Sequence, residues 1–172
     1  DSLVTSSSPA LRITVREMTQ SDVPRVYEID VASFSLPWPE RSYRFELEQN
    51  PASRLYVAEI EREEGGHLVV GMTVMWLILD EAHIGTFAID PAYRRQGIGR
   101  RLLAESLLQA YNGGVRRCHL EVRRSNQAAQ ALYASFGFLQ TSIRPRYYRD
   151  NNEDALLMTL DPLQVEAVQS LL

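Results

Sequence analysis

Six consecutive residues, Arg94-Arg95-Gln96-Gly97-Ile98-Gly99, sit between an apolar strand-like run and an amphipathic helical one. A helix start leaves its first N–H groups unpaired and carries partial positive charge. Glycines at 97 and 99 would let a phosphate approach that backbone closely, and Arg94, Arg95, Arg100 and Arg101 surround it with charge. The chemistry this suits is the holding of an anion. The spacing is neither the GxGxxG of dinucleotide sites nor the GxxxxGK[ST] phosphate loop, which disfavours hydride transfer and ATP hydrolysis. Taken alone, the motif also fits a plain glycine-rich surface loop.

Two other residues are suited to moving protons. Glu121 alternates with Cys118, Leu120 and Val122, so it points to the opposite strand face from those apolar side chains. It is either a general base beside a bound amine or an exposed strand charge. Tyr133, on a helix after Asn126, is either a phenol able to protonate a leaving group or a core aromatic. His67, His83, His119 and Cys118 show no CxxC or HExxH spacing, so no metal is expected. Cys118 reads as buried packing, and no serine lies in a nucleophile elbow.

The elements that must position these groups follow from periodicity. Leu11, Ile13 and Val15 alternate as a strand, and Ser21 is placed to cap a helix from Asp22. Prolines break the chain at 34–39 before a second helix over 40–49. Strands are expected at 55–60, 68–79 and 82–89, then a helix from Ile98 to Gly113, a strand around 118–123 and a short helix capped by Ser125 or Asn126. Two strands, 139–143 and 155–160, close the set around an Arg/Tyr-rich loop. The order βααβββαβαββ predicts an α/β fold, one mixed sheet flanked by helices.

The composition agrees. A chain of 172 residues, 45% hydrophobic and 23% charged, suits one globular domain. Residues 1–10 read as a flexible Ser/Thr-rich leader without the layout of a secretory signal. The domain is expected over 11–160, with 161–172 a tail that could be helical. No run of 18 apolar residues is present, so no membrane contact is expected, and a single cysteine fits a reducing cytoplasm. All 18 basic residues are arginine. The net charge of −4 disfavours a general nucleic-acid binder, although Arg144, Arg146, Tyr147, Tyr148 and Arg149 admit a local one. Residues 94–172 hold 11 Arg against 7 acids, which favours an anionic ligand in that half.

Together, the strand ending Phe87-Ala88-Ile89-Asp90-Pro91, the loop from Arg94 to Gly99 and the segment from Asn126 through Ala131 to Phe138 resemble the GNAT family of N-acetyltransferases. The family's loop, Q/R-x-x-G-x-G/A, is satisfied in full, and the likeness spans about 11–160. The strings 79–82, 120–123 with Ser125 and Asn126, 131–133, 146–148 with 153–155, and the turn 34–38 are similar to its ribosomal-protein-alanine subgroup.

The resemblance implies acetyl-CoA as co-substrate. It implies backbone groups of Phe87, Ala88 and Ile89 along the pantetheine arm, and a splay between that strand and the one holding Glu121. The segment Arg94, Arg95, Gln96, Gly97, Ile98, Gly99 and Arg100 would wrap the pyrophosphate. Asn126 and Tyr133 would lie towards the thiol. Glu121 would accept a proton and Tyr133 donate one. The acceptor would be a protein N-terminus, such as that of a ribosomal protein, with Leu36 and Tyr147 expected at its entrance. A lysine or small-molecule amine, and a non-catalytic CoA-binding module, are the alternatives. An unperturbed Glu near 4.3 is a weak base, so burial is expected to raise Glu121.

Overall fold

The computed structural model describes residues 11–172; the expected leader, 1–10, lies outside the described residues. The strands are β1 (Ile13–Glu17), β2 (Ser53–Glu61), β3 (His67–Ile78), β4 (Glu81–Ile89), β5 (Arg117–Arg123), β6 (Leu139–Arg144) and β7 (Ala155–Leu160). The helices are α1 (Val23–Ser33), α2 (Glu40–Gln49), α3 (Ile98–Asn112), α4 (Gln127–Ser135) and α5 (Val165–Gln169). The seven strands form one sheet in the order β1-β2-β3-β4-β5-β7-β6, in which only β4 and β5 run parallel.

Period-two burial divides the sheet into two faces. On one, Val57, Met72, Val74 and Ala88 pack against Val23, Val26, Ile29 and Tyr43 of α1 and α2. On the other, Ile84, Leu120, Val122 and Met158 pack against Leu103, Leu107 and Tyr133 of α3 and α4. Ile98, Leu102, Leu103 and Leu107 are almost fully buried, each contributing about 1.5–3 kcal/mol of apolar burial. This stripe holds α3 flat on the sheet and fixes where its N-terminus points.

One local feature differs from the sequence reading. Ser21 does not cap α1: the chain enters through a 3₁₀ turn, Gln20–Asp22, in which Asp22 Oδ2 accepts from the Thr19 N–H at 2.8 Å. A ring nitrogen at Pro24 costs nothing there, because first-turn N–H groups are unpaired anyway. Asp30, on the apolar side of α1, is buried. It is satisfied by the Trp38 N–H at 3.1 Å and by the Tyr43 hydroxyl, and so ties the 34–39 turn to both helices.

Candidate active site

The parallel pairing of β4 with β5 stops early. It runs from Glu81–Arg117 to Ile84–Leu120 and no further. A bulge at Gly85 is responsible: Val74 pairs with Thr86 but Met75 with Ile84. The extra residue bends the strand and shifts its phase. Ile84 and Phe87, three apart, therefore both face the α3 side. Beyond the bulge β4 follows β3, and Glu121 to Arg123 follow β7. Between them lies a gap bordered by strand backbone without a ladder partner, a conformation ready to accept an extended amide-bearing chain.

The gap leads to the start of α3. Arg95 and Gly97 take left-handed conformations, φ +64° and +80°. The first α3 bond to the loop runs from the Arg101 N–H to the Gly97 carbonyl at 3.1 Å, so the N–H groups of Ile98, Gly99 and Arg100 open the helix without an intrahelical partner. No atom lies within 4 Å of a Cβ built on Gly97, and residues 94–97 are exposed. Arg94 Nε donates to the Ile89 carbonyl at 3.2 Å, which folds the loop against the strand end. An open, amide-rich, cationic turn fits a pyrophosphate.

Glu121 and Tyr133 flank the gap from opposite faces. Tyr133 packs with Leu120 and Val122, its ring edge-on to Phe87 at 6.1 Å and tilted against Phe138 at 5.6 Å. Burial pushes its phenol well above the usual value, so it stays protonated. Glu121 is on the other face, in an open cleft of about 660 Å³ shared with Trp76, His83, Thr141, Arg144 and Leu157. Its Oε2 is 2.7 Å from His83 Nε2, and Arg144 lies 4.0 Å from its Oε1. The expectation of a raised Glu121 is overturned. The His83 hydrogen bond outweighs burial and holds this carboxyl below its ordinary value, with Arg144 acting in the same sense.

His83 is a residue that sequence reading missed, because it was weighed only for metal spacing. Its signal was available: His83 and Glu81 alternate with Ala82 and Ile84, which puts His83 on the polar face. Its pairing with Glu121 needed the β4–β5 register. Among the described residues no group of three or more His, Cys, Asp or Glu is placed to hold a metal.

The other residues singled out are distributed as follows. Phe87, Ala88 and Ile89 line the gap on β4. Asn126 caps α4, its Oδ1 accepting from the Ala129 N–H at 3.1 Å. Leu36 and Tyr147 are exposed, on separate loops. Those loops are joined by a hydrogen bond from Ser35 Oγ to Asp150, and Asp150 in turn accepts from Arg123 at 3.1 Å. Arg123 also stacks on Tyr148 at 3.9 Å. Burial raises the Tyr148 hydroxyl to about 12.

A family model described as the acetyltransferase (GNAT) family matches residues 23–138. The chain belongs to that family. It is 41% identical over 147 residues to a Bacillus subtilis (strain 168) protein, covering 86% of this chain and 94% of that one, whose provisional name is [ribosomal protein bS18]-alanine N-acetyltransferase. It is 38% identical over 158 residues to the N-alpha-acetyltransferase RimI of Mycobacterium tuberculosis (strain H37Rv), covering 87% and 92% of the two chains. The crystal structure of the ribosomal-protein-S18-alanine N-acetyltransferase from Escherichia coli superposes with a TM-score of 0.76 at 33% identity, covering 89% and 95%.

Proposed function

We propose that this protein transfers the acetyl group of acetyl-CoA to the N-terminal amine of a protein, a ribosomal protein of the bS18 type, in the cytoplasm. The observation that carries the reading is the β4–β5 gap. It links the anion-holding turn at Gly97 to a cleft where Glu121 and His83 are hydrogen-bonded at 2.7 Å. The relatives' names supply the acceptor class.

Bound acetyl-CoA supplies an activated two-carbon group as a thioester. Backbone N–H groups of 95–100 hold its pyrophosphate, and the free edges of Phe87 to Ile89 orient its amide-bearing arm. Asn126, at the start of α4, would lie along that arm. The acceptor amine enters from the Glu121 face. An α-amine with pKa about 7.7–8 is roughly one-tenth neutral at pH 7, whereas a lysine amine near 10.4 is neutral at under a thousandth. A carboxylate held below its ordinary value is too weak a base to strip an ammonium unaided. Glu121 instead takes the proton as the amine becomes committed to the acyl carbon, with His83 Nε2 as its hydrogen-bonded partner. Tyr133, still protonated, gives its phenolic proton to the departing sulfur from the opposite face. Its placement across the gap keeps acid and base from neutralising one another.

Leu36 and Tyr147 border the entrance, and the Ser35–Asp150 link holds the two loops together. The domain spans about 11–160, and 161–172 is a C-terminal segment whose Leu163 and Val168 pack into its core. The test is release of free coenzyme thiol with short peptides. A free N-terminus supports turnover, and the same peptide blocked at its N-terminus does not. Equal turnover of a blocked peptide carrying lysine overturns the α-amine assignment in favour of a side-chain amine. Tight acetyl-CoA binding with no turnover on any amine makes the protein a non-catalytic module.

A further inference from the structure

Beneath the 34–38 turn, one wall of the cleft is the indole of Trp76, fixed on three sides. Its Nε1 donates to Glu46 Oε2 at 3.0 Å. One face stacks on Trp38, with centroids 5.9 Å apart and planes 19° apart. The ring also lies directly over Gly85, where a Cβ would fall 2.3 Å from Cη2 and 2.4 Å from Cζ3. Gly85 is the bulge residue at which β4 parts from β5. The indole edge meets the His83 imidazole at 6.0 Å and 75°, and His83 holds Glu121. The wall therefore borders the place where an acceptor amine must stand.

We infer that Trp76 is a specificity-determining residue that restricts the acceptor to a small first side chain. This rests on the reading of the cleft as the site of an N-terminal amine. Three groups leave the first Cα of such an acceptor. The amine faces Glu121, His83 and the gap. The chain leaves towards solvent, between the 34–38 turn and the loop that Ser35 joins through Asp150. The side chain is left facing the indole. A flexible wall would repack around a larger group. This one moves only by giving up its N–H bond and its stacking on Trp38, and glycine at 85 leaves it no slack to settle deeper. Glu46 is also held by the Asn50 amide at 2.8 Å and by the Ser53 hydroxyl, so the anchor is itself anchored.

The experiment compares two free-amine peptides, identical except for Ala or Leu at the first position, on the full chain. The wild-type protein prefers the Ala peptide in kcat/KM by about 100-fold, the order reached by a rigid small pocket. Trp76→Ala reduces that preference at least about tenfold, by raising the value for the Leu peptide. Glu46→Ala, which frees the indole, moves the preference in the same direction by a smaller factor. An acetyl-CoA-dependent thermal shift equal to wild type establishes that each variant is folded. If Trp76→Ala lacks it, Trp76→Phe, which retains the stacking on Trp38, carries the same comparison. A variant that slows both peptides equally, or leaves the ratio unchanged, overturns the sieve. Wild-type protein that acetylates both peptides equally overturns the sieve alone, whereas failure on both contradicts the N-terminal reading itself.

Discussion

The two groups proposed to handle protons are shifted in opposite senses. Tyr133 is raised by burial and Glu121 is lowered, chiefly by His83. Glu121 is thus ionised across the neutral range and contributes no limb to activity there. The rise of kcat/KM with pH belongs to the acceptor amine, with an apparent pKa of about 7.7–8; a pH series on one free-amine peptide measures it. Glu121→Gln is expected to lower kcat by about 10²–10³, with acetyl-CoA affinity unchanged in calorimetry. His83→Ala costs about tenfold alone and adds little to Glu121→Gln, since residues acting as a unit are not additive. Glu121 and Tyr133 were legible as chemically suitable types. His83, Trp76 and the buried Asp30 were not recognised as site or anchor residues, because each acquires its role from a partner 13 to 38 positions away. The sign of the Glu121 shift was missed for the same reason: a raised value was expected because an ordinary Glu is a weak base, and the His83 hydrogen bond that lowers it depends on the β4–β5 register.

At the scale of elements, local periodicity located nearly every strand and helix, including α2 at 40–49 and β7 at 155–160. Spacing alone did not reveal what makes the site: the end of β4–β5 pairing at Ile84–Leu120 and the bulge at Gly85. A glycine inside a strand pattern is the available signal for such a bulge, but its consequence depends on Trp76 folding over it. The turn before α3 yields a further prediction. Gly97 stands at φ +80° with open space around it. Gly97→Val therefore meets backbone strain rather than a clash, costing about 1–3 kcal/mol. Relief of that strain displaces the first-turn N–H groups. Acetyl-CoA affinity is expected to fall by about tenfold or more, the equivalent of 1.4 kcal/mol. Calorimetry on the variant checks this, with the circular dichroism spectrum unchanged.

At the scale of the whole molecule, α5 closes the α3 side. Leu163 and Val168 are buried, and the Leu163 N–H reaches the Arg116 carbonyl at 2.7 Å. The sequence offered 161–172 as a tail that could be helical, without showing what it packs against. Deleting 162–172 removes both side chains and uncovers the apolar surface of α3 and the sheet that they cover, a loss of about 3–5 kcal/mol. That corresponds to roughly 10 °C in Tm for a chain of this size, read by thermal unfolding. Acid should act in two stages. Asp30 is raised by burial, although Tyr43 and Trp38 oppose it. Its folded form binds a proton more readily than the unfolded one, so stability rises as pH falls through its folded value towards about 4. Glu121 and Glu153 are lowered, Glu153 to about 2 chiefly by Ser125. Their contribution is present above the unfolded carboxyl value of about 4.3 and is lost as pH falls below it. Urea midpoints across this range should show both stages, and Asp30→Asn should abolish the first and keep the second.

On the proposed function, an amino terminus receives an acetyl group in the cleft beside the β4–β5 gap. Fragment mass spectrometry of a peptide carrying both a free N-terminal alanine and an internal lysine, after incubation with acetyl-CoA and the protein, locates the product directly. A single acetyl group on the alanine nitrogen is expected, formed at least about 100-fold more slowly by Glu121→Gln. An acetyl group on the lysine, or on the alanine at an undiminished rate in that variant, would contradict it.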